Sequence, residues 1–145
     1  MQNFSYLCKN NCKMMRKNLF IASLLCLFCS CHESLEERAE REAREFTEKH
    51  CPTPVVNFTR TDSVHFDRTT RTYTYFETFF DDMDDSTVVA SIHDELLETL
   101  AAALRNNPKA KTEREAGFSF AYIAHSASRP EVILLNDTIC LKNGR

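Results

Sequence analysis

An apolar run near the N-terminus most limits what this chain can fold into. The run spans residues 19–28 and follows a short basic segment that ends in Arg16-Lys17. It is too short to cross a bilayer core, because a stable transmembrane helix takes about 20 residues. A basic segment followed by a short apolar run is typical of a secretory signal peptide. We therefore predict that residues 1–30 are a signal peptide and that the fold is built from the residues after them.

The start of the chain and the end of this signal carry two further predictions. Met14 directly precedes the basic segment, so residues 1–13 are a candidate for a misassigned start. The sequence Phe28-Cys29-Ser30-Cys31 resembles a lipobox, at which bacterial lipoproteins are cut before a lipidated cysteine. The resemblance implies acyl chains on Cys31, and residues 31–34 then form a lipidated N-terminus and short tether. The alternatives are acylation of Cys29 and an uncleaved anchor helix.

The charge distribution favours an envelope address and excludes one class of partner. All 21 Asp and Glu follow residue 30, whereas four of the 18 Lys and Arg precede it, so the exported part is more acidic than the net charge of −3 suggests. An acidic surface argues against binding nucleic acid. The acidic residues 33–37 resemble the surface-display signal of Bacteroides-type lipoproteins, or alternatively favour the first turn of a helix. We predict a lipid-anchored envelope protein of the outer membrane, facing the periplasm or the surface.

Cysteine usage fits an exported protein. Five of the seven cysteines lie at or before Cys31, which leaves Cys51 and Cys140 for the folded part. Exported proteins occupy compartments that permit disulfides. We predict a Cys51–Cys140 disulfide, with two buried free thiols as the alternative.

Hydrophobic periodicity predicts two helices and two hairpins in the exported part. Apolar residues at helical spacing stop at prolines in both helical segments, because proline cannot continue the hydrogen bonding. The predicted fold is a single α+β domain over residues 35–145. It is a two-layer sandwich with one four-stranded antiparallel sheet and both helices on one face, in the order α-β-β-α-β-β. The predicted helices are 35–49 and 87–106, and the predicted strands are 61–67, 71–80, 117–125 and 131–140.

This order of elements carries a family resemblance. A helix, a Tyr-rich hairpin, a second helix, the strand Gly117-Phe118-x-Phe120-x-Tyr122 and a terminal cysteine resemble small uncharacterised lipoproteins of Gram-negative, Bacteroides-type bacteria. The shared motifs are structural and imply no activity. The resemblance does imply O-glycosylation at short Asp-Ser/Thr-apolar motifs, whose acceptors are Ser63, Ser86 and Thr138.

Candidate chemical groups each have a structural interpretation as well. The acidic run 81–85 is able to supply Ca²⁺ ligands but lacks the spacing and glycine of an EF-hand loop, so we favour helix capping. His65, His93 and His125 are candidates for acid–base chemistry, or are separate surface histidines. The sequence has neither the spacing of a zinc site nor a Gly-x-Ser-x-Gly nucleophile. We predict no metal and no cofactor.

Aromatic residues on the predicted strands are either core or a binding surface. Tyr73 and Tyr75 share one face of their strand, and Thr72, Thr74 and Phe76 share the other; the sequence leaves open which face is buried. We predict a non-enzymatic lipoprotein that binds the bilayer through Cys31 and an envelope protein through its exposed sheet face or an edge strand. The alternative is a small periplasmic or surface hydrolase acting on glycans or similar substrates.

Overall fold

Two β-hairpins joined by a long helix form the core of the fold. The computed structural model describes residues 33–141, so Cys31 and the predicted signal peptide lie outside the described residues. The helices are α1 (Leu35–His50), α2 (Ser86–Asn106) and the short α3 (Lys111–Glu115), and the strands are β1 (Thr59–Asp67), β2 (Thr72–Phe79), β3 (Ser119–Ser126) and β4 (Ile133–Cys140). Short 3₁₀ turns, Asp81–Met83 and Pro108–Ala110, precede α2 and α3.

The ends of α1 follow directly from its sequence. The Ser34 hydroxyl accepts a hydrogen bond from the Glu37 amide at 3.1 Å, and the Ser34 amide donates to the Glu37 carboxylate at 3.0 Å. This reciprocal capping box satisfies two of the free amides at the helix start. Arg68, in the β1–β2 turn, contacts Glu37 at 3.0 Å and Glu40 at 3.5 Å. The start of α1 is therefore tied to the hairpin beneath it.

The sheet differs from the prediction in one pairing. The strand order is β1-β2-β3-β4, and both hairpins are antiparallel as predicted. The central strands β2 and β3 run parallel, so the prediction of a purely antiparallel sheet is wrong. The reason is the length of α2, which carries the chain back to the end of the sheet where β2 began. A strand–helix–strand connection between neighbouring strands gives a parallel pair.

The core lies between one face of the sheet and the helices. Phe66, Phe79, Phe118 and Phe120 are almost fully buried. Ala39 and Ala43 of α1 and Val89 and Leu104 of α2 belong to the same cluster as these rings. The helices therefore cover the sheet face that carries Tyr73 and Tyr75, which answers the question that the strand alternation left open.

The short helix α3 was not predicted, because its polar sequence resembles a link. It ends at Glu115, and Gly117, two residues later, has a φ of 77°. The Gly117 amide donates to the Arg114 carbonyl at 3.0 Å and the Phe118 amide donates to the Glu113 carbonyl at 2.9 Å. This pair of bonds is a Schellman motif, which needs the left-handed backbone that glycine adopts without strain. The motif fixes where β3 begins and holds Glu113 against the core.

Candidate functional site

The two long helices pack on opposite edge strands of the sheet. Helix α1 packs on β1 and helix α2 packs on β4, so they lie over the two edge strands. The central strands β2 and β3 therefore form the floor between them. We call this helix-facing strip, together with the cleft at its Tyr73 end, the aromatic groove. Its residues are Tyr73, Phe120 and Tyr122, which are buried, and Tyr75 and Glu77, which are partly exposed.

Stacked aromatic pairs form most of this floor. Tyr75 and Tyr122 are register partners, and their ring centroids lie 5.1 Å apart with planes at 12°. One row further along, Tyr73 and Phe120 are 5.8 Å apart at 8°. Burial raises the pKa of the Tyr75 and Tyr122 hydroxyls above its ordinary value. The tyrosines therefore stay neutral; Tyr122 belongs to the core, whereas Tyr75 is partly exposed.

Glu77 is the unusual residue of the groove floor. It lies on β2 between Thr61 and Ala124 of the neighbouring strands, two residues beyond Tyr75 on the same side. It is half-buried, and no residue within 33–141 forms an ion pair or hydrogen bond with its carboxylate. Burial, with a smaller effect of the Asp62 charge, raises the pKa of Glu77 to about 7. An unpaired carboxylate in this position costs free energy unless a partner is supplied.

A cleft opens at the other end of the groove. Its volume is about 320 Å³, and it lies between α1 and the segment joining α2 to α3. Glu113 of α3 lines it and is 6% exposed. Its Oε1 atom lies 3.4 Å from Nη2 of Arg38, whereas its buried Oε2 atom has no partner among the described residues. The cleft is also lined by Glu42, Phe46, Tyr73, Tyr75, Lys109 and Phe120.

The predicted histidine candidates lie apart from one another. His93 bridges two carboxylates, with Nε2 2.8 Å from Oδ2 of Asp137 and Nδ1 3.2 Å from Oδ1 of Asp94. His65 is exposed on β1, on the side of the sheet away from the helices. His125 lies on that same side, and its Nδ1 atom is 2.8 Å from the Pro130 carbonyl oxygen. The fold therefore does not bring the three histidines together.

His125 does line a second cleft, of about 390 Å³, with Arg60 and Asp62. The Asp62 carboxylate there is already bound, since Arg60 Nε lies 2.6 Å from Oδ1 and the Thr78 hydroxyl lies 2.5 Å from Oδ2. The arrangement leaves the imidazole without a carboxylate hydrogen-bond partner.

The acidic run serves as a capping segment. The Asp85 carboxylate accepts hydrogen bonds from the Thr87 amide at 2.7 Å and the Val88 amide at 3.3 Å, which confirms it as the N-cap of α2. The Asp84 carboxylate accepts from the Ser128 amide at 2.8 Å and so holds the β3–β4 turn. No cluster of metal-ligating side chains occurs within residues 33–141.

The predicted Cys51–Cys140 disulfide is not formed. Both residues are free thiols, Cys51 half-buried after α1 and Cys140 exposed at the end of β4. The Thr53 amide bonds to the Thr61 carbonyl, so Cys51 lies beside β1. Strands β1 and β4 are opposite edges of the sheet, roughly 14 Å apart at the usual strand spacing, which is beyond the reach of a disulfide. The Cys140 sulfur instead contacts the Ser119 hydroxyl at 3.2 Å. The alternative of two buried thiols holds only in part, because Cys140 is exposed.

The sheet face away from the helices lacks the predicted aromatic surface. Tyr73 and Tyr75 point toward the helices, and Thr72, Thr74 and Phe76 lie on the other face. Tyr73, Phe118, Phe120 and Tyr122 belong to the core instead, which is one of the two alternatives that the sequence left open.

The predicted acceptors of O-glycosylation differ in accessibility. Ser86 is exposed at the start of α2 and Thr138 is exposed on the edge strand β4. Ser63 is half-buried on β1, next to a register irregularity. None of the helices within residues 33–141 is both long and apolar enough to span a bilayer.

Comparison with known proteins gives a family and a fold. A family described as a domain of unknown function (DUF8479) matches residues 34–135, so the chain belongs to that family. A protein of Pseudomonas aeruginosa described as secreted has a similar structure, with 10% identity, a TM-score of 0.60 and coverage of 72% of this chain and 88% of that chain. A pilotin of the Vibrio vulnificus type 2 secretion system is also similar, with 9% identity, a TM-score of 0.55 and coverage of 74% and 88%. No match was found among curated proteins.

Proposed function

We propose that this member of the DUF8479 family is a non-enzymatic envelope lipoprotein that binds a peptide segment of another envelope protein in its aromatic groove. The observation that carries the proposal is the cleft of about 320 Å³ beside Tyr75, between α1 and the segment joining α2 to α3, with Phe46 at 40% exposure in its lining. Tyrosines are enriched among the residues that dominate binding energy, because they bury a large area at a low cost in side-chain entropy.

The fold relatives support an envelope address. One is described as secreted and the other as a pilotin of a secretion system. An exported protein with an envelope partner agrees with these two descriptions. The signal peptide and lipobox-like sequence predicted for residues 1–31 point to the same compartment.

The anchor is the second part of the proposal. Helix α1 begins at Leu35, four residues after Cys31. Acyl chains on Cys31 therefore hold the domain, and with it the groove, close to the outer membrane. Two acyl chains are enough for stable anchoring, where a single chain is marginal.

Site-specific photo-crosslinking in the native membrane tests the groove. A photo-reactive phenylalanine analogue replaces Phe46, which lines the groove and is 40% exposed. In the matched control the same analogue replaces Phe58, which is 44% exposed in the loop before β1. We expect a discrete crosslinked protein from position 46 that is absent from position 58 and is lost when Tyr75→Ala is added. Equal crosslinking from both positions, or crosslinking that Tyr75→Ala leaves unchanged, would contradict the proposal.

Metabolic labelling tests the anchor. Labelled palmitate is expected to enter the wild-type protein and the Cys29→Ser variant, and to be absent from Cys31→Ser. Incorporation that persists in Cys31→Ser would assign the acyl chain to another cysteine.

The intact mass of the same purified protein tests glycosylation. A mass that includes hexose and that falls in Ser86→Ala supports the exposed acceptor Ser86. An unmodified mass rejects all three acceptors, Ser63, Ser86 and Thr138.

The alternative function is a small hydrolase, and the cleft beside His125 is the observation that favours it. The Nδ1–H group of His125 donates to the Pro130 carbonyl. The Nε2 atom of His125 is therefore left as an acceptor for a proton. A hydrolase predicts turnover of ester or glycoside substrates that disappears in His125→Ala. Activity equal in wild type and His125→Ala would reject it.

A further inference from the structure

The two edges of the sheet differ in how their backbone groups are used. On the outer edge of β1, the Thr53 amide donates to the Thr61 carbonyl at 2.9 Å, and the Thr61 amide donates to the Thr53 hydroxyl at 3.0 Å. Further along the same edge, the Thr47 hydroxyl of α1 bonds to the amide and the carbonyl of Val64, at 2.8 Å and 2.9 Å. These bonds use backbone groups that another strand would need, so the β1 edge is protected from pairing.

The sheet register shows which backbone groups of β4 lie on its outer edge. The Ser119 amide at the start of β3 bonds to the Arg71 carbonyl at 3.1 Å, so the backbone of Ser119 faces β2. The register partner of Ser119 on β4 is Cys140. Directly opposite residues of an antiparallel pair either bond to each other or both face away, so the backbone of Cys140 faces outward. Because this pattern alternates along the strand, the outer edge carries the backbone groups of Asn136, Thr138 and Cys140.

The outer edge of β4 is open. Within residues 33–141, the structure shows no hydrogen bond to the outward backbone groups of Asn136, Thr138 and Cys140, and all three residues are exposed. Strand β4 has neither lysine nor proline, two residues that commonly keep an edge strand from pairing. A register irregularity lies beside His125 at the start of the strand, so these three residues stay in regular pairing with β3. The edge is therefore a row of donors and acceptors that another β-strand would satisfy.

The side chains along this edge suit a second copy of the same chain. Asn136, Thr138 and Cys140 are uncharged and share the face of the sheet away from the helices. The charged residue of the strand, Asp137, lies on the helix side, where His93 binds it. A chain with a net charge of −3 repels its own copies, and an uncharged edge is where that repulsion is weakest.

Symmetry and side-chain chemistry fix the register of such a pair. When two identical strands pair antiparallel about a two-fold axis, one residue lies opposite itself. A centre at Thr138 lets all three outward residues pair, with Asn136 opposite Cys140 on either side. It also places the two Thr138 hydroxyls within reach of each other and Asp137 opposite Ile139. A centre at Asp137 would instead oppose two like charges, which destabilises a strand pair.

We propose that the protein forms a two-fold dimer in which the β4 strands of two copies pair antiparallel about Thr138. The outward amides and carbonyls of each strand then bond to those of the other. The two sheets become one continuous sheet, with the helices of both copies on the same side. The inference goes beyond the proposed function, because the outer edge of β4 is not part of the aromatic groove.

Cysteine crosslinking in native membranes tests the register. Thr138→Cys is introduced together with Cys51→Ser and Cys140→Ser, and the membranes are mildly oxidised. Opposite Cα atoms at the centre lie about 5.5 Å apart, within the range of a disulfide, so we expect a covalent dimer on a non-reducing gel. Thr69→Cys in the same background is the matched control, because Thr69 is also exposed but lies in the β1–β2 turn. It should give at least about tenfold less dimer.

The wild-type protein supplies a second test of the same register. In a pair centred on Thr138, the Cys140 residues of the two copies lie four residues apart along the strands, about 14 Å. This separation exceeds the reach of a disulfide, so oxidised wild type should form little covalent dimer. Efficient dimer formation through Cys140, or equal crosslinking from positions 138 and 69, would overturn the proposed pairing.

Substitution at Thr138 tests whether the edge itself holds the dimer. The Thr138 amide points outward, so Thr138→Pro removes no hydrogen bond to β3 but blocks the incoming strand. Thr138→Lys places two lysines opposite each other, and Thr69→Lys is its matched control. Light scattering of the full protein purified in detergent should show a dimer for wild type and Thr69→Lys. Both Thr138 variants should dimerise at least about tenfold more weakly, with circular dichroism reporting that they fold.

Three results would overturn the dimer. The first is a monomeric wild type at every concentration measured. The second is a dimer that survives in both Thr138→Pro and Thr138→Lys. The third is a native protein that carries a glycan on Thr138, because a sugar there would lie at the centre of the paired strands.

Discussion

The Nε2 atom of His93 lies 2.8 Å from Oδ2 of Asp137 and joins α2 to the edge strand β4. Asp137 is the register partner of Tyr122, which is in turn the register partner of Tyr75. The pair therefore ties α2 to the edge strand beside the stacked Tyr75–Tyr122 pair, while α1 packs on the opposite edge strand.

The His93–Asp137 pair predicts a pH-dependent stability. Asp137, and to a smaller extent Asp94, raise the pKa of His93 above its ordinary value near 6.5. A raised histidine pKa stabilises the fold fully below about pH 6.5, and the stabilisation is lost as pH rises through the folded value. We expect the melting temperature of wild type to fall between pH 6.5 and 8 by more than that of Asp137→Asn. Asp94→Asn, at an exposed carboxylate, should resemble wild type more closely, and an identical pH dependence in all three proteins would show that the pair contributes nothing.

Glu77 predicts a second pH effect with the same sign but a different cause. Burial raises its pKa from 4.5 to about 7, so the fold favours the protonated form. Stability is full below the unfolded value and declines as pH rises through 7. Glu77→Gln removes the buried charge, and we expect it to exceed wild type in unfolding free energy at pH 8 by on the order of 1–3 kcal/mol, with little difference at pH 5. Urea denaturation at both values measures this, with Glu95→Gln as control; a Glu77→Gln variant less stable than wild type at pH 8 would indicate a partner for the carboxylate.

The N-cap of α2 predicts a loss of stability on truncation. Asp85 accepts two amide hydrogen bonds at the helix start. Asp85→Ala should lower the unfolding free energy by about 1 kcal/mol, the usual value of such a cap. Asp82→Ala is the matched control, because Asp82 is exposed in the preceding 3₁₀ turn and caps no helix. Equal losses in the two variants would argue against specific capping.

The two free thiols predict distinct reactivities. Cys140 is exposed, whereas Cys51 is half-buried and its pKa is raised by burial and by the Asp62 charge. Because the thiolate is the reactive form, Cys140 should react with a thiol reagent several-fold faster than Cys51 at pH 8. Timed labelling followed by peptide mass analysis measures both rates in the unreduced protein. Recovery of a Cys51–Cys140 linked peptide would instead restore the disulfide that the sequence suggested.

The predicted bounds of the long helices and the strands lie close to the observed ones, because local sequence signals are strong in this chain. The predicted helix 87–106 and the observed α2, Ser86–Asn106, differ by one residue, since a capping aspartate and Pro108 mark its ends. The bounds of the strands were predicted to within about two residues, because local sequence signals mark the strands as well. Among the α-helices and strands of residues 33–141, α3 was missed because its polar residues lack helical periodicity, although Gly117 was available as a C-cap signal.

What the sequence determined by itself was the set of elements and which residues share a strand face, because both depend on neighbours a few positions apart. The tertiary structure alone decided the parallel pairing of β2 and β3, the separation of Cys51 from Cys140, and the unpaired carboxylate of Glu77. These depend on where α2 returns the chain and on which elements pack against one another. Periodicity along a chain encodes neither, because it reports only on neighbours a few positions apart.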